Sequence, residues 1–226
     1  MLEHPETLVH HFTHVDNVPA LLAAGALIAD SDLPRTAPAA DVGDPGVKSA
    51  RRRRPVPIPP GGVVADYVPL YFAPRSPMLY RIACDHRDGI ADRYSAGQDP
   101  LVYLVSSIER IAAGGATWLA TDGNAAAAVS HFTDALDGLA DFIDWPLMTK
   151  KIWANDAADP DRQRRRMAEL LVHRRLPLSA LIGFATRTPA TERRLRTSLA
   201  AAGRAGDYVA VRRDWYYDLG GPGEGR

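Results

Sequence analysis

The stretch Asp159-Pro-Asp-Arg-Gln-Arg-Arg-Arg-Met-Ala-Glu-Leu-Leu-Val-His173 sets one carboxylate, Glu169, behind a block of four arginines and directly before an apolar run. A solvated helix face is the commonest setting for a single glutamate. Here the run Leu170-Leu-Val172 follows at once, which is typical of a segment that enters the core. A carboxylate at the head of such a segment, beside fixed positive charge, favours a cleft if other segments can form its walls.

Length and composition indicate one globular domain. The chain has 226 residues, of which 46% are hydrophobic and 24% are charged, and this is ample for a sizeable core. Its formal net charge is zero, so affinity for a polyanion has to come from local patches. Almost all basic residues are arginine, which favours bidentate recognition of phosphate. A composition rich in arginine and alanine is also what a GC-rich genome tends to encode.

The remaining composition narrows the class of protein. The single cysteine, Cys84, excludes an internal disulfide and a cysteine-based zinc site, and it suits a reducing cytosol. The N-terminus lacks the pattern of a signal peptide, and no apolar run approaches a membrane span. We therefore expect a cytoplasmic protein that does not contact a membrane. His10, His11 and His14 cluster without the spaced carboxylates of a metal site, so no metal is expected.

Apolar periodicity predicts strands mixed with helices. Residues 8–14 alternate with a period of two, which indicates a strand. Asp16 or Asn17 then begins a helix with Pro19 in its first turn, and Gly25 ends it. Further strands are predicted over 66–73, 101–106 and 117–121, within 177–184 and over 208–211, and further helices over 78–83, 107–113, 125–135 and 191–202.

Residues 29–62 form a long segment with little periodicity. A loop of this length in a compact domain is either functional or disordered. Its run Arg51-Arg-Arg-Arg54 could contact phosphate, or it could be a solvated basic loop. The segment alone does not separate these two interpretations.

Three motifs, in their order and spacing, resemble those of the diphtheria-type ADP-ribosyltransferases. They are His11-Phe-Thr-His-Val-Asp-Asn17 with Gly25-Ala-Leu27, Pro69-Leu-Tyr-Phe72 with Ser76 and Tyr80, and Glu169 at the head of a late apolar segment. More specific strings, which run through nearly the whole chain, are similar to the DarT family of DNA ADP-ribosyltransferase toxins. These strings are His11–Asn17, Val47-Lys-Ser-Ala-Arg51, Asp66–Tyr80 with its Ala-Pro-Arg-Ser-Pro-Met-Leu-Tyr, Thr121-Asp-Gly-Asn-Ala125 and Asp159–His173.

The resemblance implies an α+β chain with the ADP-ribosyltransferase fold. This fold has a split mixed or antiparallel β-sheet core, flanked by helices, with an NAD-binding cleft. It would make residues 1–219 a single domain, with 29–62 as a long functional loop and 145–162 as the substrate-recognition loop. Residues 220–226 would be a flexible tail.

The resemblance also implies roles for particular residues. Glu169 and Arg51 would be catalytic, and register against the flanking residues favours Arg51 within the run 51–54. His11 would hold ribose hydroxyls, and Tyr80, with Tyr71, would stack on nicotinamide. Phe12 stands where many relatives have glycine. The expected NAD contacts are His11, Phe12, Thr13, His14, Asn17, Leu27, Arg51, Tyr71, Ser76 and Tyr80, and the expected DNA contacts are Arg75, Lys150, Trp153, Arg162, Arg165 and Arg166.

The function that the resemblance implies is NAD-dependent mono-ADP-ribosylation of a base, thymine, in single-stranded DNA of a particular short sequence. NAD would be a co-substrate, and a cognate antitoxin would remove the ADP-ribose. Two alternatives stay open: an ADP-ribosyltransferase that acts on protein or RNA, and a non-catalytic nucleic-acid-binding module. The sequence also leaves open whether Glu169 or Arg51 moves the proton.

Overall fold

The computed structural model describes residues 7–33 and 38–219. Its strands are β1 Leu8–His14, β2 Ala26–Ile28, β3 Tyr67–Tyr71, β4 Leu101–Ser107, β5 Trp118–Thr121, β6 Phe132–Thr133, β7 Glu169–His173, β8 Arg175–Pro177, β9 Gly183–Thr186 and β10 Val209–Val211. Its α-helices are α1 Val18–Ala24, α2 Pro45–Arg53, α3 Pro77–Arg87, α4 Ile108–Ala113, α5 Leu139–Phe142, α6 Trp145–Met148, α7 Arg162–Arg165 and α8 Pro189–Ala201. The predicted tail, 220–226, lies outside the described residues.

Eight strands form one sheet in the order β10-β9-β4-β1-β3-β7-β5-β6, and β2 pairs with β8 in a separate two-stranded sheet. Every neighbouring pair in the large sheet is antiparallel except β9 and β10, which are parallel. The predicted α+β class, with a mixed and largely antiparallel sheet flanked by helices, is confirmed. No helix in the two described ranges is long and apolar enough to cross a membrane.

The sheet is split between β1 and β3. β1 shares seven residue pairs with β4 but only one, His10 with Tyr71, with β3. Beyond this pair the two strands are no longer in register, and Pro69 in β3 has no N–H to offer to β1. The ladder therefore ends at His10, and the remainder of β1 is not paired with β3.

Several of the sequence signals explain the elements directly. The apolar run in β4 is buried at all seven positions, as expected for a central strand. Helix α1 has proline in its first turn and ends at Gly25, whose φ of +67° is the left-handed conformation that glycine adopts without strain. Asn17 occupies the position before α1, but its side chain makes no capping bond there.

The structure corrects two predictions of secondary structure. The helix predicted over 125–135 is wrong, because this alanine-rich segment forms turns that lead into β6. Asp122 explains the difference, since its carboxylate accepts the backbone N–H of His131 and closes the segment into a loop. The segment 29–62 also contains a helix, α2, which begins after Asp44. That side chain caps the helix by accepting the Val47 N–H, and Pro45 follows in the first turn.

The C-terminal aromatic residues pack against the inner end of the split. The Trp215 ring meets the His10 ring edge-on at 4.9 Å, and Tyr216 and Tyr217 are both buried. Tyr216 donates its hydroxyl to the Leu101 carbonyl at 3.0 Å. Burial lowers the pKa of His10 from its usual 6.5 to about 4, against the opposing effect of its hydrogen bond to the Tyr71 carbonyl.

This buried histidine predicts a pH-dependent stability. Because the pKa of His10 is lower in the folded chain, its contribution is fully present above about pH 6.5 and is lost as the pH falls towards about 4. Between about pH 7 and about pH 4.5 the free energy of unfolding should therefore fall by about 2 kcal/mol from His10 alone. Urea unfolding of wild type and His10→Gln at both pH values checks this. Acidic groups common to both proteins cancel, so equal pH dependence in the two would contradict the assignment.

Candidate active site

Glu169 is the first residue of β7, and two neighbouring strands fix its backbone. It pairs with Tyr71 on β3 and with Thr121 on β5, and the Thr121 hydroxyl accepts its N–H at 3.3 Å. Because Tyr71 also pairs with His10, Glu169 lies at the register position where β1 and β3 part. Its side chain is only 2% exposed, so the carboxylate requires partners in the interior.

Arg51 supplies the counter-charge. Its Nη1 donates to Glu169 Oε2 at 2.8 Å from the last turn of α2, and its side chain is 13% exposed. Ala125 donates its backbone N–H to the other carboxylate oxygen, Oε1, at 3.2 Å. The second guanidinium nitrogen, Arg51 Nη2, is buried and has no hydrogen-bond partner in the described chain. A buried donor without a partner is costly unless a ligand completes it, so Arg51 is suited to hold both the carboxylate and a bound anionic or carbonyl oxygen.

His11 bridges the split. Its Nδ1 lies 2.9 Å from the Pro69 carbonyl oxygen, which makes Nδ1 the donor and leaves Nε2 as an acceptor. Burial lowers the pKa of His11 below its usual value, the bond to Pro69 opposes this, and the charge of Arg51 lowers it further. A neutral imidazole with a free acceptor nitrogen can accept a hydrogen bond from a sugar hydroxyl.

The two predicted nicotinamide-stacking tyrosines lie in different surroundings. The Tyr71 ring stacks on Phe12 with centroids 6.5 Å apart, and burial together with the Glu169 charge raises its pKa above the usual value. Tyr80, on α3, is 38% exposed and meets the rings of Trp153 and Tyr217 edge-on at 5.5 and 5.0 Å. The structure thus places Tyr71 beside the carboxylate and Tyr80, itself exposed, against the buried rings of Trp153 and Tyr217.

Other predicted NAD contacts divide into two groups. Asn17 Nδ2 donates a hydrogen bond to the Thr13 hydroxyl oxygen at 3.0 Å. The Asn17 side chain also exchanges two hydrogen bonds with the backbone of Ala40. This fastens the segment after residue 38 to the end of β1. The second group, Ser76, Leu27 and His14, contacts other parts of the chain. The buried Ser76 hydroxyl caps α3, and Leu27 lies in the β2–β8 strand pair. His14 Nδ1 accepts the Asp16 N–H.

The four arginines of the block form hydrogen bonds with other residues of the chain. Arg162 donates to Asp156 at 2.7 Å and to the Ile152 carbonyl at 3.0 Å. Arg165 donates to Asp144 at 3.0 Å and to Asp159 at 2.7 Å. Arg162 and Arg165 therefore fix the segment 144–162 through these hydrogen bonds. That the two arginines contact DNA remains a prediction.

Two of the residues predicted to contact DNA are buried in the structure, and their contact with DNA remains a prediction. Arg166 is 3% exposed and donates to the backbone carbonyls of Leu147 and Arg75. Trp153 is 7% exposed, and its indole N–H donates to Tyr217 at 3.0 Å. Arg75 lies with its guanidinium 4.4 Å from the Tyr217 ring. Packing of this loop against the C-terminal aromatics turns both side chains inwards, and of the predicted set only Lys150 is exposed, while Arg75, Arg162 and Arg165 are half-buried.

Sequence reasoning missed the backbone donor to Glu169. The string Thr121-Asp-Gly-Asn-Ala125 is similar to the family, but Ala125 contacts Glu169 through its backbone amide, and no residue type encodes that contact. Across 7–33 and 38–219, no group of three His, Cys, Asp or Glu side chains could hold a metal ion.

Comparisons with known proteins agree on one family. The family model described as "ssDNA thymidine ADP-ribosyltransferase, DarT" matches residues 10–217. The chain is similar to a Mycobacterium tuberculosis DNA ADP-ribosyl transferase, with 38% identity over 213 residues that cover 93% of this chain and 89% of the relative. It is also similar to a Thermus sp. DNA ADP-ribosyl transferase, with 33% identity over 218 residues that cover 95% and 98%.

Solved structures agree as well. The fold matches Thermus sp. 2.9 DarT in complex with ADP-ribosylated single-stranded DNA, with a TM-score of 0.86 and 32% identity, covering 95% of this chain and 98% of that one. The same Thermus protein in complex with NAD+ matches with a TM-score of 0.82 and 32% identity, covering 95% and 99%.

The buried ion pair predicts an asymmetric effect of mutations on stability. Arg51→Met leaves the Glu169 carboxylate buried without its counter-charge, which should lower the free energy of unfolding by about 3 kcal/mol. The double variant Arg51→Met/Glu169→Gln removes both charges and should be more stable than the single variant. Urea denaturation of the three proteins measures this, and a double variant less stable than Arg51→Met would contradict the ion-pair interpretation.

Proposed function

The chain belongs to the DarT family of single-stranded-DNA thymidine ADP-ribosyltransferases, and from that premise we propose how its residues carry out the reaction. The activity is NAD-dependent transfer of ADP-ribose to DNA. The observation that carries the assignment of residues is the Arg51–Glu169 pair at the point where β1 and β3 part. This pair offers a carboxylate and an unpartnered guanidinium nitrogen in one buried place.

NAD is the substrate that this cleft would hold. The His11 Nε2 acceptor suits a ribose hydroxyl, and the Phe12–Tyr71 pair offers ring surface for nicotinamide. When the bond between nicotinamide and ribose breaks, its electron pair leaves with nicotinamide, and positive charge develops on the sugar. The Glu169 carboxylate, already oriented by Arg51 and Ala125, stabilises that charge.

The acceptor would be the ring nitrogen of thymine that carries a hydrogen. Its electron pair forms the new bond to the ribose carbon as its proton leaves. Glu169 is the group that takes this proton, because a guanidinium has no lone pair with which to accept it. Arg51 stabilises the negative charge on the base through its free Nη2. A stacked and paired base hides this nitrogen, so single-stranded DNA is the substrate.

The loops would provide selection of the DNA sequence. We propose that residues 145–162 form the substrate-recognition loop and that 29–62 is the functional loop that delivers Arg51, within one domain of residues 1–219. Lys150 is exposed and forms no ion pair with any described residue, and Arg75 lies over the Tyr217 ring. These two side chains are suited to phosphate or base contacts. Recognition of a short sequence context then follows from which bases this loop accepts.

The cellular role is the toxin of a toxin–antitoxin pair, acting in the cytoplasm. Modification of thymine in single-stranded DNA would block replication, and a partner that removes ADP-ribose would restore growth. Expression of the chain alone should therefore stop growth, and co-expression with an enzyme that removes ADP-ribose from DNA should restore it. Growth arrest that persists in Glu169→Ala would argue against this role.

The activity itself is tested with NAD and a thymine-containing single-stranded oligonucleotide. Mass spectrometry should detect addition of one ADP-ribose to a thymine and release of nicotinamide, with little product on the matched duplex. Glu169→Ala should reduce the rate by at least about a hundredfold, because the developing charge loses its partner. Glu192→Ala, which removes a helix-surface carboxylate paired with Arg196, should keep the full rate.

The same assay separates the alternatives. Product on RNA or protein but not on DNA would move the acceptor while keeping the transferase chemistry. Oligonucleotide binding without nicotinamide release would indicate a non-catalytic binding module. Absence of any NAD-dependent mass increase on DNA would overturn the proposed substrate.

A further inference from the structure

One of the two donors to Glu169 depends on a segment outside its own strand. Ala125 belongs to the 122–126 turn, the sequence Asp122-Gly-Asn-Ala-Ala126 that follows β5. Its N–H is 3.2 Å from Oε1 of the buried carboxylate. Since Ala125 is the donor to Oε1 among the described residues, whatever fixes this turn also fixes the direction of that oxygen.

Arg164 fixes the turn from three directions. Its Nη1 donates to Asp122 at 2.9 Å, in a pair whose side chains are only 17% and 18% exposed. Its own carbonyl oxygen accepts the Asn124 N–H at 3.2 Å. A Cβ at Gly123 would lie 2.9 Å from that carbonyl, so the turn approaches Arg164 as closely as glycine permits.

The other end of the same guanidinium reaches the loop before α7. Arg164 Nε and Nη2 form a fork on the Asp161 carboxylate at 2.8 and 2.7 Å. One planar group thus connects Asp161, at the end of the 145–162 loop, to Asp122, at the start of the turn that orients the carboxylate. A fork on one carboxylate and a further bond to a second carboxylate from the same planar group are what arginine provides and lysine does not.

We propose that Arg164 is a positioning residue of the reaction: by holding the 122–126 turn on α7, it aims the Ala125 amide at Glu169. This inference rests on the proposed function for its effect on rate. Arg164 does not touch the substrates, and it acts through Ala125 on the carboxylate. Loss of the arginine side chain removes the bond to Asp122 and leaves only the backbone bond from Asn124, so the turn shifts and the Ala125 amide loses its fixed direction towards Glu169 Oε1.

A stabilising role alone would have different consequences. Loss of a largely buried ion pair such as Arg164–Asp122 would lower the free energy of unfolding, but a purely stabilising contact would leave the rate per folded molecule unchanged. The chain offers a matched control for this in Arg204, which pairs with Asp207 at 2.7 Å with the same three-residue spacing as Arg164 and Asp161. Arg204 lies after α8, away from Glu169.

The test compares Arg164→Gln, Arg164→Lys and Arg204→Gln in the full chain. For Arg164→Gln, kcat for nicotinamide release with single-stranded DNA should fall on the order of tenfold to a hundredfold. The KM for NAD should stay within about twofold, since misplacing Glu169 affects the transition state more than the ground state. Arg164→Lys should recover part of the loss, and Arg204→Gln should retain the wild-type kcat.

A second readout is independent of activity. The NMR signal of the Ala125 amide proton should move, in Arg164→Gln, towards its position in Glu169→Ala, which lacks the acceptor. If Arg164→Gln does not fold, Asp122→Ala removes the acceptor of the same contact and should shift the same signal. An unmoved Ala125 signal in the folded variant would overturn the proposal, as would an equal loss of kcat in Arg204→Gln. Because the NMR measurement needs neither NAD nor DNA, it distinguishes failure of this proposal from failure of the proposed function.

Discussion

A carboxylate that is 2% exposed and a guanidinium that is 13% exposed can share the interior only by neutralising each other. Glu169 and Arg51 are 118 residues apart in the chain, so their contact requires α2 to lie over the head of β7. Tyr71, which pairs with Glu169 on one side and His10 on the other, places that contact at the last rung before β1 and β3 separate. The positions of the ion pair, of the split in the sheet and of the cleft therefore all depend on the same pairing of Tyr71 with Glu169 and His10.

The arginine block makes contacts within the chain that its charge alone does not suggest. A run of four arginines beside a proposed DNA site invites the interpretation of phosphate contacts. In the folded chain, Arg162, Arg164 and Arg165 hold acidic residues of the 144–162 segment and the 122–126 turn, and the DNA contacts of Arg162 and Arg165 remain a prediction. Arg166 is buried with backbone carbonyls as acceptors. The loop that would read DNA is thus fastened to the turn beside the strand that carries Glu169, the proposed catalytic carboxylate, which is a physical basis for coupling recognition to chemistry.

Local chemistry made much of the fold predictable. The alternation in β1, the apolar run of β4 and the Pro19 and Gly25 signals of α1 depend on neighbouring residues only, and the structure contains these elements. The helix predicted for the alanine-rich segment 125–135 is wrong because Asp122 accepts the His131 N–H and closes the segment into a loop. Helix propensity, which is high here, takes no account of such a contact. Helix α2 was not predicted, because the glycines and prolines of the long segment 29–62 indicate a loop. Asp44 and Pro45 nevertheless form an ordinary helix start. In the candidate site, residue types pointed to Glu169, Arg51 and His11, whereas the Ala125 amide and the burial of Trp153 depend on tertiary packing alone.

The central claim is that the Arg51–Glu169 pair marks the reaction centre and that NAD binds in the adjoining split. A crystal structure of the chain with an NAD analogue whose glycosidic bond cannot break tests it most directly. The nicotinamide ribose should lie between β1 and β3, with a hydroxyl within hydrogen-bond distance of His11 Nε2 and with the Glu169 carboxylate beside the reacting carbon. An analogue bound elsewhere, or bound in the split without contact to Glu169 and Arg51, would contradict it.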